Sequence, residues 1–390
     1  MRRPLEGLRV VDIGISTAGP YAARLLGDLG AEVVKVEPLD GENTRSLGQQ
    51  YGRTGYLYHV NNYNKRSVTL KVQHPRGRDL FLELVAKSDV VIENFAIGTM
   101  DRWGIGYEAC RRTNPAVVYV SVKGFGESGP MRFRRAFDTV TQALSGLMDA
   151  TGEAGSPPLK AGPSVCDLLG AAVSSMAAAA ALVARDGRDG RLIDTALFDM
   201  GAFATLPLWP LARDPDAPAA VHSLGNGHPL HAPFGDYACA DGRVMVAVTR
   251  DAQWRPLAGW LDRPAAWDCA TRVAHRADID AALSSWLGAQ RAAQAVERLQ
   301  SGGVPAAPVL DLAQVSTSPL LARRAMVHEV EHPAYGRLPL IDTPLAIAGR
   351  ARSGPYRFQP TLGQDNEEIL GDLLGHRAEL AELRAAGVIA

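Results

Sequence analysis

Asp167 has the least ordinary setting of any carboxylate in the chain. It stands directly before residues 168–184, an uncharged run made mostly of Ala, Leu, Val, Ser and Met. Alanine density and the absence of proline predict a helix there. The run is apolar nearly all round, so the helix is expected to be buried on all sides and to stop at Arg185-Asp186-Gly187. An Asp at that mouth has two uses. Its side-chain oxygen can act as N-cap, accepting from the free amides of the first turn. Held ionised by those amides and the helix dipole, it can also attack a carbonyl or thioester carbon as a nucleophile. Spacing does not choose between the two. Cys166, its neighbour, reads either as a second nucleophile or as a small buried filler.

A second group of chemistry-bearing residues is cationic. From Lys65 to Arg135 there are 13 Lys or Arg against 7 Asp or Glu, on a chain whose net charge is −1. Solvated helix faces account for part of this excess. Lys65, Arg66, Arg102, Lys123 and Arg135 fall instead at predicted strand or helix ends, where a few of them would suffice to hold a phosphorylated, polyanionic ligand. Later in the chain His228, His231 and Arg250 could meet a carboxylate. The four cysteines, Cys110, Cys166, Cys239 and Cys269, show no paired or metal-like spacing, so no metal site is expected and reduced thiols in a cytoplasm are. The near-zero net charge gives no sign of a nucleic-acid or membrane partner. The first residues, MRRPLEGLRVVDIG, lack the apolar core of a signal peptide, and the 168–184 run is short and alanine-rich for a membrane span.

The elements that must position these residues alternate. LRVVDI is a buried strand, followed by the loop GISTAGP and the helix YAARLLGDLG, which Pro20 can open and Gly30 stop. AEVVKVE is a second strand ending at Glu37. Strand, loop, helix, strand is a parallel βαβ unit. GISTAG does not match G-x-G-x-x-G, so NAD is not expected, although the loop at a helix N-terminus suits a phosphate or carboxylate. Residues 41–64 read as irregular. NKRSVTLKV, VVIENF and AVVYVSVKGFG are further strands separated by helices at 74–89 and 99–112. Asn94 and Phe95 close one strand at its carboxyl end, where open α/β sheets bind ligands. RLIDTALFDM adds a strand and a short helix. Prolines 207, 210, 215 and 218 mark a linker. Alternating strands joined at Asp241-Gly242 then open a different domain. The predicted layout is α/β: a large domain with a Rossmann-like, doubly wound parallel sheet over 1–205, a linker over 206–227, a smaller α+β domain over 228–325, and a linker with a helical, acidic return to the large domain over 326–390.

Taken in order, PLEGLRVVDIG, AGPYAARLLGDLGAEVVKVE, NKRSVTL, DVVIENF, DRWGIGYE, NPAVVYVSVKGFG, the Asp167 region, PFGDYACADGRVMVAV and LGQDNEEIL resemble one family across nearly the whole chain. It is the family III CoA-transferases, which includes formyl-CoA transferase and the carnitine-CoA transferases, with the 2-methylacyl-CoA racemase as a relative. The resemblance implies a homodimer of interlocked, threaded rings whose large domain is built from both chain ends. It implies acyl-CoA and small carboxylic acids as substrates, with CoA the only cofactor. It also implies Asp167 as the catalytic residue, passing through an acyl-aspartyl anhydride and an aspartyl-CoA thioester. By motif, CoA contacts are implied at Thr17, Ala18, Leu70, Asn94, Phe95, Arg102, Lys123 and Arg135. Two departures stand out. Pro38 replaces a basic residue common in the family, and Gly225-Asn226-Gly227-His228 replaces the glycine-rich loop that covers the site of formyl-CoA transferase.

The implied chemistry conserves thioester energy in covalent intermediates, in a dry site. It needs oxyanion donors, from amides near Asp167 or from the 225–228 loop. A racemase would need acid–base groups on both faces of the acyl α-carbon. Relatives with that activity carry a His in a stretch like GHD, whereas this chain has AFD with Phe137 at that place, so another residue, such as Asp138 next door, would have to supply the missing base. A CoA-binding homologue without activity is a further alternative, opposed by the presence of Asp167.

Overall fold

The computed structural model describes residues 3–48, 50–51, 54–186, 190–213, 225–332, 336–345 and 357–390. The expected helix stop at Gly187, the linker prolines Pro215 and Pro218, and parts of the later linker lie outside them. The chain divides into two compact units, one of residues 1–145, 162–203 and 319–390, the other of residues 146–161 and 204–318. Residues 146–161, placed by sequence in the first domain, thus group with the second unit.

The first unit is built on six parallel strands: β1 (Arg9–Asp12), β2 (Glu32–Glu37), β3 (Lys65–Thr69), β4 (Val90–Glu93), β5 (Val118–Lys123) and β6 (Arg191–Ala196), in spatial order β3-β2-β1-β4-β5-β6. The four central strands, β2, β1, β4 and β5, are short, buried, Val/Ile-rich runs, as strands covered on both faces require, while the edge strand β6 is largely exposed. The order reverses between β1 and β4, and that switch point opens a crevice at the carboxyl ends of the strands. Helix α1 (Ala18–Asp28) follows β1 and stops before Gly30, whose φ of +108° only glycine adopts without strain. Helix α2 (Pro75–Ala86) starts with proline at its first position, and the His74 side chain accepts from the Arg76 amide.

The chain end completes this unit. Ile369, Leu370, Leu380, Leu383, Val388 and Ile389 are buried against the same core as Val11, Val34, Leu80 and Phe81. Asp365 and Asn366 accept from the Ser67 and Thr69 amides at 2.8 and 2.9 Å. They thereby satisfy the open edge of β3, which would otherwise offer unpaired groups to another chain.

Helix α3 (Asp138–Leu144) and helix α4 (Val165–Val183) lie beyond β5, and α4 packs on α1, α3, β5 and β6. The expectation of burial on all sides fails here. Cys166, Gly170, Ala171, Ser174, Ala178 and Ala181 are buried, a small-residue face that lets the helices approach closely. Leu168, Ala172, Met176, Ala180 and Val183 form an exposed stripe at helical spacing, with Met176 at 65% and Val183 at 88% exposure. By length and composition alone α4 would also suit a membrane span.

The second unit holds an antiparallel sheet of β7 (Phe234–Cys239), β8 (Gly242–Ala247) and β9 (Ala306–Pro308), with helices α5 (Asp251–Trp260), α6 (Arg276–Gly288) and α7 (Ala292–Ser301). Its core gathers Val244, Val246, Trp254, Leu257, Leu283, Leu287 and Leu299. The hairpin turn falls one residue earlier than expected. Gly242 pairs with Cys239, leaving Ala240-Asp241 at the tip. There Asp241 accepts from the Ala292 amide at 2.7 Å. Two stretches expected as linkers carry structure: Leu206–Leu208 and Trp209–Ala212 are helical, and Val327–His332 pairs with Gly336–Ile341. Within 41–64, Tyr56–Asn61 is helical.

Candidate active site

Asp167 is not the N-cap of α4. Ser164 holds that place without a side-chain bond, and Asp167 sits inside the first turn. The capping comes from another helix. Asp138, at the start of α3 and 6% exposed, accepts from the Cys166 amide at 2.7 Å and the Asp167 amide at 3.2 Å through Oδ1. Its Oδ2 accepts from Gln142 Nε2 at 2.6 Å. The expectation that amides near Asp167 stabilise an oxyanion therefore fails for these two, because Asp138 already occupies them. Burial, then the nearby Asp138 charge, pushes the Asp167 carboxyl up to about 7. An acid so tuned is a stronger base once ionised, and ionises near neutrality. Cys166 is fully buried and its thiol is raised by burial, so it is a filler and not a nucleophile.

The first loop is held from all sides by buried polar groups. Gly14 donates to Asp12 Oδ1 at 2.9 Å, Ile15 to Asn94 Oδ1 at 2.8 Å, and Ser16, at φ +60°, to Glu42 Oε2 at 2.8 Å. Asn94 Nδ2 returns a bond to the Ile15 carbonyl at 2.8 Å. These three amides are consumed internally, so they are not the ones that could meet a phosphate at the helix N-terminus. The Asn94 amide, expected as a CoA contact, clamps β4 to this loop.

Two of the five cations expected at a ligand are structural. Lys65 is fully buried and donates to Asp12 Oδ2 at 2.8 Å, Pro20 O at 2.7 Å and Asn62 Oδ1 at 2.8 Å. Burial brings its pKa down to about 8. Burial opposes ionisation of Asp12 too, but the Lys35 and Lys65 charges prevail and hold it below the usual carboxylate range. Arg66 pairs with Glu32, Asp365 and Glu368. Lys123 is nearly buried against Glu93, a carboxylate raised by burial that also accepts from Ser121 Oγ at 2.6 Å. Arg102 donates to Thr99 Oγ1 at 2.9 Å within its own short helix.

Of the remaining expected cations, Lys123 and Arg135 reach a hollow of about 430 Å³ beyond the carboxyl ends of β4 and β5, and Arg102 does not line it. Asn94, Phe95, Lys123, Arg135 and Phe137 line it, together with Arg132 and Arg134. Among the described residues these three arginines make no ion pair. Sequence reasoning counted Arg132 and Arg134 in the charge excess but did not place them at a site; the run RFRR was the available signal. A second, mostly apolar hollow of about 180 Å³ shares Phe95 and adds Ile13, Val36, Pro38, Leu70, Val72 and Trp103. Leu70 and Phe95 thus sit where the sequence placed them, at the crevice. Thr17 and the buried Ala18 open α1 and line neither hollow.

In the second unit, Asn226, Gly227 and His228 line a cavity of about 520 Å³ with Asp236, Tyr237, Arg276 and Asp280. Gly225 donates to Gly152 O at 2.8 Å, and Asn226 Nδ2 to Asp236 Oδ1 at 2.8 Å. The His228 and His231 rings stand 4.6 Å apart. Arg276, to which the sequence gave no role, donates to both their carbonyls at 2.7 and 2.9 Å. Arg250 does not join them; it precedes α5 and its amide donates to Gln253 Oε1 at 3.0 Å.

Residues 5–366 match the model of CoA-transferase family III. The chain is 34% identical over 385 residues to succinyl-CoA:mesaconate CoA-transferase of Haloarcula marismortui, covering 94% of this chain and 96% of the relative. It is 32% identical over 388 residues to succinate–glutarate CoA-transferase of Agrobacterium fabrum, covering 95% and 96%. It is 30% identical over 401 residues to human succinyl-CoA:glutarate CoA-transferase, covering 99% and 90%. A solved structure of a CAIB/BAIF family protein from Brucella suis superposes with a TM-score of 0.83 at 31% identity, over 96% of this chain and 100% of that one.

Proposed function

Because the chain belongs to CoA-transferase family III, we propose that it moves CoA from an acyl-CoA to a free dicarboxylic acid through covalent intermediates on Asp167. The observation that carries this is the Asp167 carboxyl, set in the first turn of α4 with its own helix amides already taken and its pKa pushed up to about 7. An Asp167 oxygen adds to the thioester carbon of the donor, the C–S bond breaks, and CoA leaves as thiolate. The thiolate attacks the aspartyl carbonyl of the resulting anhydride and expels the donor acid. The acceptor carboxylate then adds to the aspartyl thioester and releases CoA again. Finally the thiolate takes the acceptor acyl carbon and frees the Asp167 carboxylate. Each step exchanges one activated acyl bond for another, so no external energy source enters.

CoA is read at the crevice between β1 and β4. Lys123 and Arg135 would face its phosphates, and the apolar hollow around Phe95 and Leu70 its less polar parts. A dicarboxylic acceptor is supported by the relatives above, which act on mesaconate and glutarate. A homodimer is part of the proposal. The exposed stripe Leu168, Met176 and Val183, with Phe203 at 65% exposure nearby in sequence, is an apolar surface of the kind a partner subunit covers. A cytoplasmic location is part of the same reading, drawn from four cysteines without paired or metal-like spacing in the sequence.

The test is a thioester-exchange screen offering several acyl-CoAs against a panel of free acids, read by mass. Exchange with at least one dicarboxylate is expected, and none with any acid would overturn the assignment. Oxygen-18 in the acceptor carboxylate should leave one label on Asp167, as the anhydride route requires. Incubation with a chiral 2-methylacyl-CoA in heavy water should leave the α-position unlabelled, since Phe137 carries no proton.

A further inference from the structure

Asp138 is a buried acid whose side-chain hydrogen bonds all serve one purpose. Two go to the amides of Cys166 and Asp167, and another ties its second oxygen to Gln142, four residues on in the same helix. Gln142 Nε2 in turn reaches the Pro163 carbonyl at 3.4 Å, just ahead of α4. The Thr141 hydroxyl donates to the Asp138 carbonyl at 2.8 Å, which fixes the first turn of α3. The start of α4 is therefore bolted to α3 through one carboxylate, while Ser164 at the N-cap contributes no side-chain bond.

We propose that Asp138 is a positioning residue for Asp167: it caps α4 from a neighbouring helix and so keeps the Asp167 carboxylate clear of its own helix amides. An Asp in a first turn ordinarily turns back to those amides, which hold it ionised and weaken it as a nucleophile. With Asp138 in their place, the Asp167 oxygens keep their lone pairs for the reacting carbon. The same arrangement sets a negative charge next to Asp167. Of the elements packed against α4, which are α1, α3, β5 and β6, α3 supplies the charge that acts on this carboxyl, and Cys166 is the titratable neighbour on its own turn. The proposal rests on the reading of Asp167 as the nucleophile.

Two variants separate positioning from mere support. Asp138→Asn retains an oxygen that can accept from both amides and removes the charge. Asp138→Ala removes both. CoA exchange is followed from pH 5 to 9 for each, with Asp167→Asn as reference. Asp138→Ala is expected to lower kcat at least about a hundredfold with the acyl-CoA KM within about twofold. Asp138→Asn is expected to keep kcat within about tenfold while moving the midpoint of the pH–kcat profile down by about one unit. If Asp138→Ala does not fold, the midpoint in Asp138→Asn decides alone. An unmoved midpoint, or Asp138→Ala turning over like the unaltered enzyme, overturns the positioning role while an inactive Asp167→Asn leaves the nucleophile assignment standing. Turnover by Asp167→Asn overturns both.

Discussion

Replacing Asp167 by Asn tests chemistry and energetics at once. Burial and the Asp138 charge raise the Asp167 pKa from an ordinary 3.8 to about 7. A raised carboxylate pKa means that the folded state holds the proton more tightly than the unfolded chain does. The stability this confers is fully present below about pH 4 and is lost as pH rises through about 7. Each unit of difference is worth about 1.4 kcal/mol, so the whole shift corresponds to roughly 4 kcal/mol. Partial exposure of the side chain reduces this to about 2–3 kcal/mol. Asn cannot ionise and carries no such dependence. Melting temperatures of the two proteins at pH 4, 5, 6, 7 and 8 should therefore diverge steadily up to about pH 7 in favour of Asp167→Asn, then run parallel. Exchange activity of the variant should fall at least about a thousandfold at every pH, because the proposed carboxylate nucleophile becomes a neutral amide. A melting-temperature gap that stays constant across that range refutes the electrostatic account of the site. Turnover near that of the unaltered enzyme refutes the nucleophile.

Lys65→Met should destabilise the fold by about 3 kcal/mol through the broken buried pair with Asp12, yet leave the acyl-CoA KM within about twofold, as seen by denaturant titration and steady-state kinetics. Arg135→Gln should do the opposite, raising the acyl-CoA KM about tenfold with the melting temperature unchanged, since the proposed charge-assisted contact to phosphate would be removed from an exposed side chain. Met176→Asp puts a charge into the exposed stripe of α4 and should shift the oligomer toward monomer in mass photometry at nanomolar concentration, while far-ultraviolet circular dichroism is retained.

Much of this molecule is legible locally. The Val-rich runs, the prolines and glycines between them and the alternation of periods define six strands and the helices that join them, because such preferences are settled by neighbours a few residues away. Asp167 before an uncharged helix, and Asn94 and Phe95 at a strand end, are legible for the same reason. Which charges are available to a ligand is not. Lys65 and Arg66 read as ligand cations until Asp12, Asn62, Asp365 and Glu368 are seen to surround them, the last two 299 and 302 residues beyond Arg66. The helix cap from Asp138 lies 28 and 29 residues before the amides it holds, and α4 is apolar all round yet buried only on its small-residue face. Periodicity records how apolar a face is; whether it is covered, and which charge pairs with which, is decided where distant segments meet, since burial and Coulomb energy depend on separation in space and not along the chain.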